Sequence, residues 1–267
     1  MSKLTFFQLL TTVFLLVNCT STTSNDVETN KKENTYHTEI KLEKFSSVKV
    51  QNENDKSRDE QDSLRILNQL EYALTLAKKH IKDNQFSFKT DSITIEIGHL
   101  FFPNTKHLLI KRSSEYGFYS NVYRIDNNTF FPVLTFEMAA LAFIGDTLQD
   151  INGDKRLDYV FHWYPMSGCC ERNIYDVYLS TSNGDFSKEF EFMNPVFDAK
   201  NKFIRGRCYG QSPPVYKFQW KGIKLDTIEY IHPPEETKLN YYLKNKSEID
   251  IKEGLKLKKL PDEYKKL

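Results

Sequence analysis

Alternating apolar and polar residues characterise the chain from residue 86 onward. Such alternation is typical of strands that bury one face, and turns rich in Asn, Asp and Gly between the runs predict hairpins. The 20 Phe and 15 Tyr residues support this interpretation, since aromatic residues favour strands. The predicted strands cover residues 86–89, 93–97, 106–111, 118–125, 130–136, 139–145, 157–163, 175–180, 215–220 and 223–230.

A different period occurs over residues 61–82, where apolar residues recur at steps of three and four. This spacing predicts a helix with one apolar face, formed by Leu67, Leu70, Leu74, Ala77 and Ile81. The predicted fold class is therefore all-β, as an antiparallel sandwich or a small propeller-like array, with one N-terminal amphipathic helix.

The first 18 residues have the pattern of a secretory signal peptide. Lys3 precedes an apolar run over residues 4–17, which is too short for a comfortable membrane span. The run leads into Leu16-Val17-Asn18-Cys19, which resembles the bacterial lipobox, although Asn18 stands where Gly, Ala or Ser is usual. The resemblance implies that Cys19 is diacylated and anchors an exported protein to a membrane of the bacterial envelope, with the outer membrane as the expected location. The alternative is an ordinary cleaved signal with an incidental cysteine.

Composition divides the remainder of the chain into three parts. Residues 19–60 combine the lipidated cysteine with a polar segment that has too few apolar residues to fold alone, and they predict a flexible tether. Residues 61–235 form the helix and β domain, and residues 236–267 form a polar tail on the surface. The 37 basic and 36 acidic residues nearly cancel, which argues against nucleic acid as a partner.

The most specific local motif is the loop from Asp150 to Asp158. It places side-chain oxygens at positions 1, 3, 5 and 9 and a backbone carbonyl at position 7, an arrangement that curls around a central point. Oxygen ligands in an adaptable loop suit Ca²⁺. The predicted ligands are Asp150, Asn152, Asp154, the carbonyl of Arg156, and Asp158.

This loop resembles the calcium loops of FG-GAP and VCBS-type repeats, in which Asp-x-Asn-x-Asp-Gly-x-x-Asp lies between two strands. The resemblance covers these nine residues and the following strand, and it implies a weak structural calcium site. Lys155 departs from the pattern because Gly is usual at position 6. The alternative interpretation is a polar turn that holds no ion.

Two loops carry the residues expected to bind a partner. Trp163, Tyr164 and Arg172 flank one loop, and Arg207 and Tyr209 lie in the other. These residue types are common in binding hot spots. A disulfide between Cys208 and Cys169 or Cys170 would join the loops into one surface, because an exported protein meets an oxidising compartment. The alternatives are a disulfide between the adjacent Cys169 and Cys170, three buried thiols, or plain aromatic packing around a disulfide.

No catalytic motif is found, and the chain is not expected to be an enzyme. A thiol–imidazole pair of His162 with Cys169 or Cys170 is disfavoured, since neighbours on a strand point to opposite faces. The sequence therefore predicts a lipoprotein that binds an envelope protein or polymer, loosely similar to periplasmic inhibitors of lysozyme-like enzymes. A hydrolase of envelope polymers and a purely structural envelope component remain as alternatives.

Overall fold

A computed structural model describes residues 58–166 and 172–267. It confirms the all-β fold class. The described residues form three antiparallel sheets, in each of which consecutive strands are neighbours. The predicted signal peptide, Cys19, the tether, Cys169 and Cys170 lie outside the described residues.

The helix α1 spans Arg58–Lys79, so it precedes the strands but does not lie at the N-terminus of the chain. It packs on the first sheet through Ala73 and Ala77, which are fully buried, with Ile66 also in the core. Leu67 is 60% exposed, so its predicted place on the buried face is wrong. The apolar face is centred about one residue away from Leu67, on Ile66, Leu70, Ala73 and Ala77.

The first sheet is a five-stranded meander. Its strands are β1 (Phe86–Lys89), β2 (Ile93–Phe102), β3 (Thr105–Ser113), β4 (Gly117–Asp126) and β5 (Thr129–Ala139). The β4–β5 turn contains Asn127 and Asn128 with φ of 49° and 57°. Asparagine tolerates this left-handed conformation, and the predicted hairpin is therefore present.

The second sheet has four strands and the third has six. The second contains β6 (Phe143–Gln149), β7 (Asp158–Trp163), β8 (Ile174–Tyr178) and β9 (Phe190–Met193). The third contains β10 (Pro195–Asp198), β11 (Phe203–Arg207), β12 (Val215–Lys221), β13 (Lys224–His232), β14 (Tyr242–Asn245) and β15 (Leu255–Leu257).

Three cores hold these layers together in chain order. One lies between α1 and the first sheet, one between the first and second sheets, and one between the second and third sheets. Phe136 of the first sheet stacks on Phe161 of the second at 3.7 Å between ring centroids. Trp220 of the third sheet meets Phe190 of the second edge to face at 5.0 Å. The second sheet is thus covered on both faces.

The C-terminal segment differs from the predicted surface tail. It contributes β14, β15, the short helix α2 (Pro234–Thr237) and a 3₁₀ turn at Asp262–Tyr264. Tyr264 is fully buried against Val215 and Ile231 of the third sheet. Although this segment is mostly polar, four of its apolar side chains pack around the same cluster, namely Tyr242, Leu257, Leu260 and Leu267.

Candidate functional site

The predicted calcium loop forms the turn between β6 and β7. Asp150 accepts hydrogen bonds at Oδ1 from the backbone N–H of Gly153 (2.7 Å) and Asp154 (3.2 Å). Its Oδ2 accepts from the N–H of Lys155 at 2.9 Å. Asn152 Oδ1 accepts from the N–H of Asp154 at 3.1 Å. The side chains at positions 1 and 3 therefore point into the loop and fix its backbone.

Asp158 is fully buried at the start of β7 and ties the loop to the next strand. Its Oδ2 accepts from the N–H of Ile151 at 2.8 Å, and its Oδ1 accepts from the N–H of Ser180 at 2.9 Å. Burial raises the pKa of Asp158 from 3.8 to about 7, and the charges of Asp154 and Asp150 add to the rise. A nearby cation would oppose that effect.

Asp154 lies beside a basic residue of its own loop. It forms an ion pair with the Arg156 guanidinium, and its Oδ1 accepts from the N–H of Arg156 at 3.0 Å. The Arg156 Nε also donates to the Ser180 carbonyl at 3.1 Å. This guanidinium therefore supplies positive charge where a calcium ion would supply it.

Two residues of the loop adopt left-handed backbone conformations. Gly153 has φ of 73°, and a Cβ added there would lie 2.2 Å from the Ala199 carbonyl oxygen, so only glycine fits. Lys155 has φ of 69°, at the position where the resembling family has Gly. This conformation costs a residue with a Cβ about 1–2 kcal/mol.

The loop donors fit calcium in chemistry, and the calcium site stays a prediction. Carboxylate and amide oxygens share one turn. Asp150 Oδ2 and Asn152 Oδ1 each accept one N–H and keep a second lone pair, whereas Asp150 Oδ1 accepts two. The carboxylate oxygens of Asp150, Asp154 and Asp158 do not, however, all lie within 4.8 Å of one another.

A group of acids that does meet at this distance consists of Asp176 on β8, Glu191 on β9 and Glu189, which directly precedes β9. One carboxylate oxygen of each lies within 4.8 Å of the other two. Asp176 stands directly opposite Glu191 in the β8–β9 pairing. Across β7 it stands opposite Phe161. The group therefore lies at one edge of the second sheet, on the face that packs against the first sheet.

Two aromatic side chains orient these acids. The Trp163 indole Nε1 donates to Asp176 Oδ2 at 2.9 Å, and the Tyr178 hydroxyl donates to Glu189 Oε2. The other oxygen of Asp176, Oδ1, is buried and has no hydrogen-bond partner among the described residues. Asp176 as a whole is only 4% exposed.

Burial and mutual repulsion perturb these carboxyl groups. Burial raises the pKa of Asp176 from 3.8 to about 8, with added repulsion from Glu189 and Glu191. Burial also raises the pKa of Glu191, and Glu189 adds to the rise while Arg172 opposes it. The surroundings of Asp176 and Glu191 therefore disfavour the ionised form of both carboxyl groups.

The residues predicted to bind a partner are brought together in part. The Arg172 guanidinium lies 4.3 Å from the centroid of the Tyr209 ring, so the two predicted loops meet. Tyr209 and Arg207 are exposed, and an Nη2 of Arg207 donates to the Leu267 carbonyl at 3.0 Å. Trp163 and Tyr164 are half-buried. The Trp163 indole donates a hydrogen bond to Asp176 of the acidic group, so this side chain is not part of an open binding surface.

The described residues include Cys208 and His162 but not Cys169 and Cys170. Cys208 is buried, and its predicted partners Cys169 and Cys170 lie outside the described residues, so the disulfide stays a prediction. His162 Nε2 lies 2.9 Å from Asn173 Oδ1, and its ring stacks on Tyr175 at 4.2 Å. Its partners are therefore those of an ordinary strand residue.

Comparison with known proteins adds no relative. No protein family, curated protein or solved structure matches this chain. Among the helices that the structure describes, none has the length and apolar character needed to span a membrane.

Proposed function

We propose that this chain is an exported lipoprotein of a bacterial envelope whose calcium-stabilised β domain binds an envelope protein or polymer. The observation that carries the proposal is the contact of Arg172 with Tyr209. It joins the two loops that the sequence marks for recognition, and it leaves Tyr209 and Arg207 exposed beside it. Aromatic and arginine side chains in such a cluster are typical of binding hot spots.

The hydrolase alternative has one observation in its favour, the acidic group in which the pKa values of Asp176 and Glu191 are raised. A glycoside hydrolase uses two carboxyl groups that flank the scissile bond. Asp176 is only 4% exposed, so a polymer cannot reach it. The geometry therefore favours binding over hydrolysis.

Calcium at the Asp150–Asp158 loop would have a structural role in this proposal. An ion there would offset the repulsion that Asp150 and Asp154 exert on buried Asp158. Because it would bind the folded chain only, it would stabilise that state by mass action.

The membrane anchor is tested by replacing Cys19 with alanine. Acyl chains contribute about 0.8 kcal/mol for each buried methylene, so an acylated chain partitions stably into membranes. Expressed in a bacterium, the wild-type chain is expected in the detergent phase of a phase-separation assay and Cys19→Ala in the aqueous phase. Equal partitioning of the two chains would contradict lipidation at Cys19.

The binding surface is tested by capture of a partner from solubilised envelopes. Tyr209→Ala is expected to reduce the captured material at least about tenfold, as the loss of a hot-spot aromatic does. Tyr116→Ala is the matched control, because Tyr116 is exposed to a similar extent (40% against 39%) but lies in the turn between β3 and β4 of the first sheet.

Quantitative mass spectrometry of the captured fractions measures both variants. Equal loss from the two variants would show that the chosen surface has no special part in binding. Retention of all captured material by Tyr209→Ala would reject the surface outright.

A further inference from the structure

The acidic group on β8 and β9 is separate from the predicted calcium loop. Side chains alternate between the faces of a strand, so Phe161 and Asp158 of β7 point to opposite faces. Asp176 shares the row of Phe161, on the side of the first sheet, where Phe161 packs. Asp158 instead reaches the backbone of Ser180 and Ile151, and Ile151 belongs to the core shared with the third sheet.

One carboxylate oxygen of Asp176 has no hydrogen-bond partner among the described residues. Its Oδ1 is buried without a hydrogen bond, while its Oδ2 accepts from Trp163. A buried carboxylate oxygen without a donor or a cation is strongly unfavourable. Hydrogen bonding among the described residues does not satisfy this atom.

The charge at this place also favours a cation. Three carboxyl groups meet there, and the charge of Arg172 acts on Glu191. A divalent cation would offset the repulsion among the three acids.

The distances suit a single ion. Calcium binds oxygen at about 2.3–2.6 Å, so two oxygens on opposite sides of one ion lie about 5 Å apart. The three carboxylate oxygens lie within 4.8 Å of one another and can therefore share one ion. Glu189 is exposed, which leaves the outer positions open to water.

We propose that Asp176, Glu189 and Glu191 form a second divalent-cation site and that calcium is its ion. All three ligands are hard oxygen donors, which suit calcium better than the nitrogen and sulfur donors suited to zinc. The hydrogen bonds from Trp163 to Asp176 and from Tyr178 to Glu189 orient two of the three ligands. Such outer partners are common around bound metals.

The hydrogen bond from Trp163 provides a direct readout. Terbium replaces calcium at oxygen sites and emits when a nearby tryptophan is excited, so the purified full chain is titrated with Tb³⁺. Bright emission is expected from the wild-type chain and from Asp154→Asn, which alters only the loop. Removing Trp163 from Asp154→Asn by the further change Trp163→Phe is expected to abolish most of the emission, because Trp163 contacts a ligand of the site whereas Trp220, the other tryptophan, lies in the core beside the loop.

Ligand variants then decide the proposal. Glu191→Gln keeps the shape of the side chain and is expected to weaken Tb³⁺ and Ca²⁺ binding at least about tenfold. Loss of a residue that only hydrogen-bonds to a metal ligand already weakens binding by about that factor, and loss of a ligand is expected to cost more. Glu189→Gln, at an exposed position, gives the same test if Glu191→Gln does not fold by circular dichroism. Glu235→Gln is the control, since Glu235 is exposed on α2 and far along the chain from the site.

Calorimetric titration with Ca²⁺ supplies the second measurement. The heat that survives in Asp154→Asn is expected to disappear in Glu191→Gln. The proposal is overturned if the wild-type chain gives no sensitised emission, or if the glutamine variants bind as tightly as Glu235→Gln does.

Discussion

Tyr264→Ala is expected to lower the free energy of unfolding by about 3–5 kcal/mol, the usual cost of truncating a buried aromatic ring. Tyr264 is fully buried against Val215 and Ile231, and its hydroxyl donates to Glu229 Oε1 at 2.5 Å. The loss of this side chain removes the packing between the C-terminal segment and the third sheet. Denaturant unfolding followed by tryptophan fluorescence measures the change.

Two controls separate packing from the hydrogen bond. Tyr264→Phe keeps the ring and is expected to cost about 1.5–3 kcal/mol, the usual value for a hydrogen bond to a charged group. Leu255→Ala, at a side chain that is 62% exposed in the same segment, is expected to change stability by less than about 0.5 kcal/mol. If Tyr264→Ala is as mild as Leu255→Ala, the C-terminal segment does not dock as described.

In the presence of a chelator, the stability of the chain is expected to fall as the pH rises from about 4 to about 8. Burial raises the pKa of Asp176 from 3.8 to about 8. Between these values the folded chain retains a proton that the unfolded chain has lost, so raising the pH favours unfolding. The full effect of Asp176 is about 6 kcal/mol, because the shift is about four pKa units and each unit corresponds to about 1.4 kcal/mol.

Asp176→Asn tests this assignment because the amide cannot ionise. The variant is expected to match the wild-type chain in stability near pH 4 and to exceed it increasingly up to pH 8. A smaller loss of stability between about pH 4 and 7 is expected to remain, since Asp158 also has a raised pKa. Parallel stability curves for the two chains would show that Asp176 does not titrate in this range.

The strands could be predicted where alternation is sustained and turns are marked. The first sheet and the β12–β13 hairpin lie close to their predicted positions. The strands β9, β10 and β11 were missed because each has only four or five residues, and sequence alternation over so short a run is weak. The strand predicted at 139–145 is observed at Phe143–Gln149, because residue 139 ends β5 and a turn at 140–142 follows.

The two candidate sites differ in how far they can be predicted from the sequence. The loop from Asp150 to Asp158 is local, so residue spacing alone identifies its donors, and the left-handed Lys155 appears where the pattern departs from glycine. The acidic group depends on register. Glu189 and Glu191 alternate around Phe190, but only the pairing of Asp176 with Glu191 across two strands brings the acids together. That pairing follows from the whole sheet and leaves no motif in the sequence.

The stacking of the three sheets in chain order has a consequence for biogenesis. Each meander is complete before the next begins, and each apolar layer joins elements that are neighbours along the chain. Contacts between such neighbours require little loop closure and form rapidly. A chain that is synthesised from its N-terminus can therefore fold one sheet at a time. At each stage, only the apolar face of the most recently formed sheet is exposed to solvent.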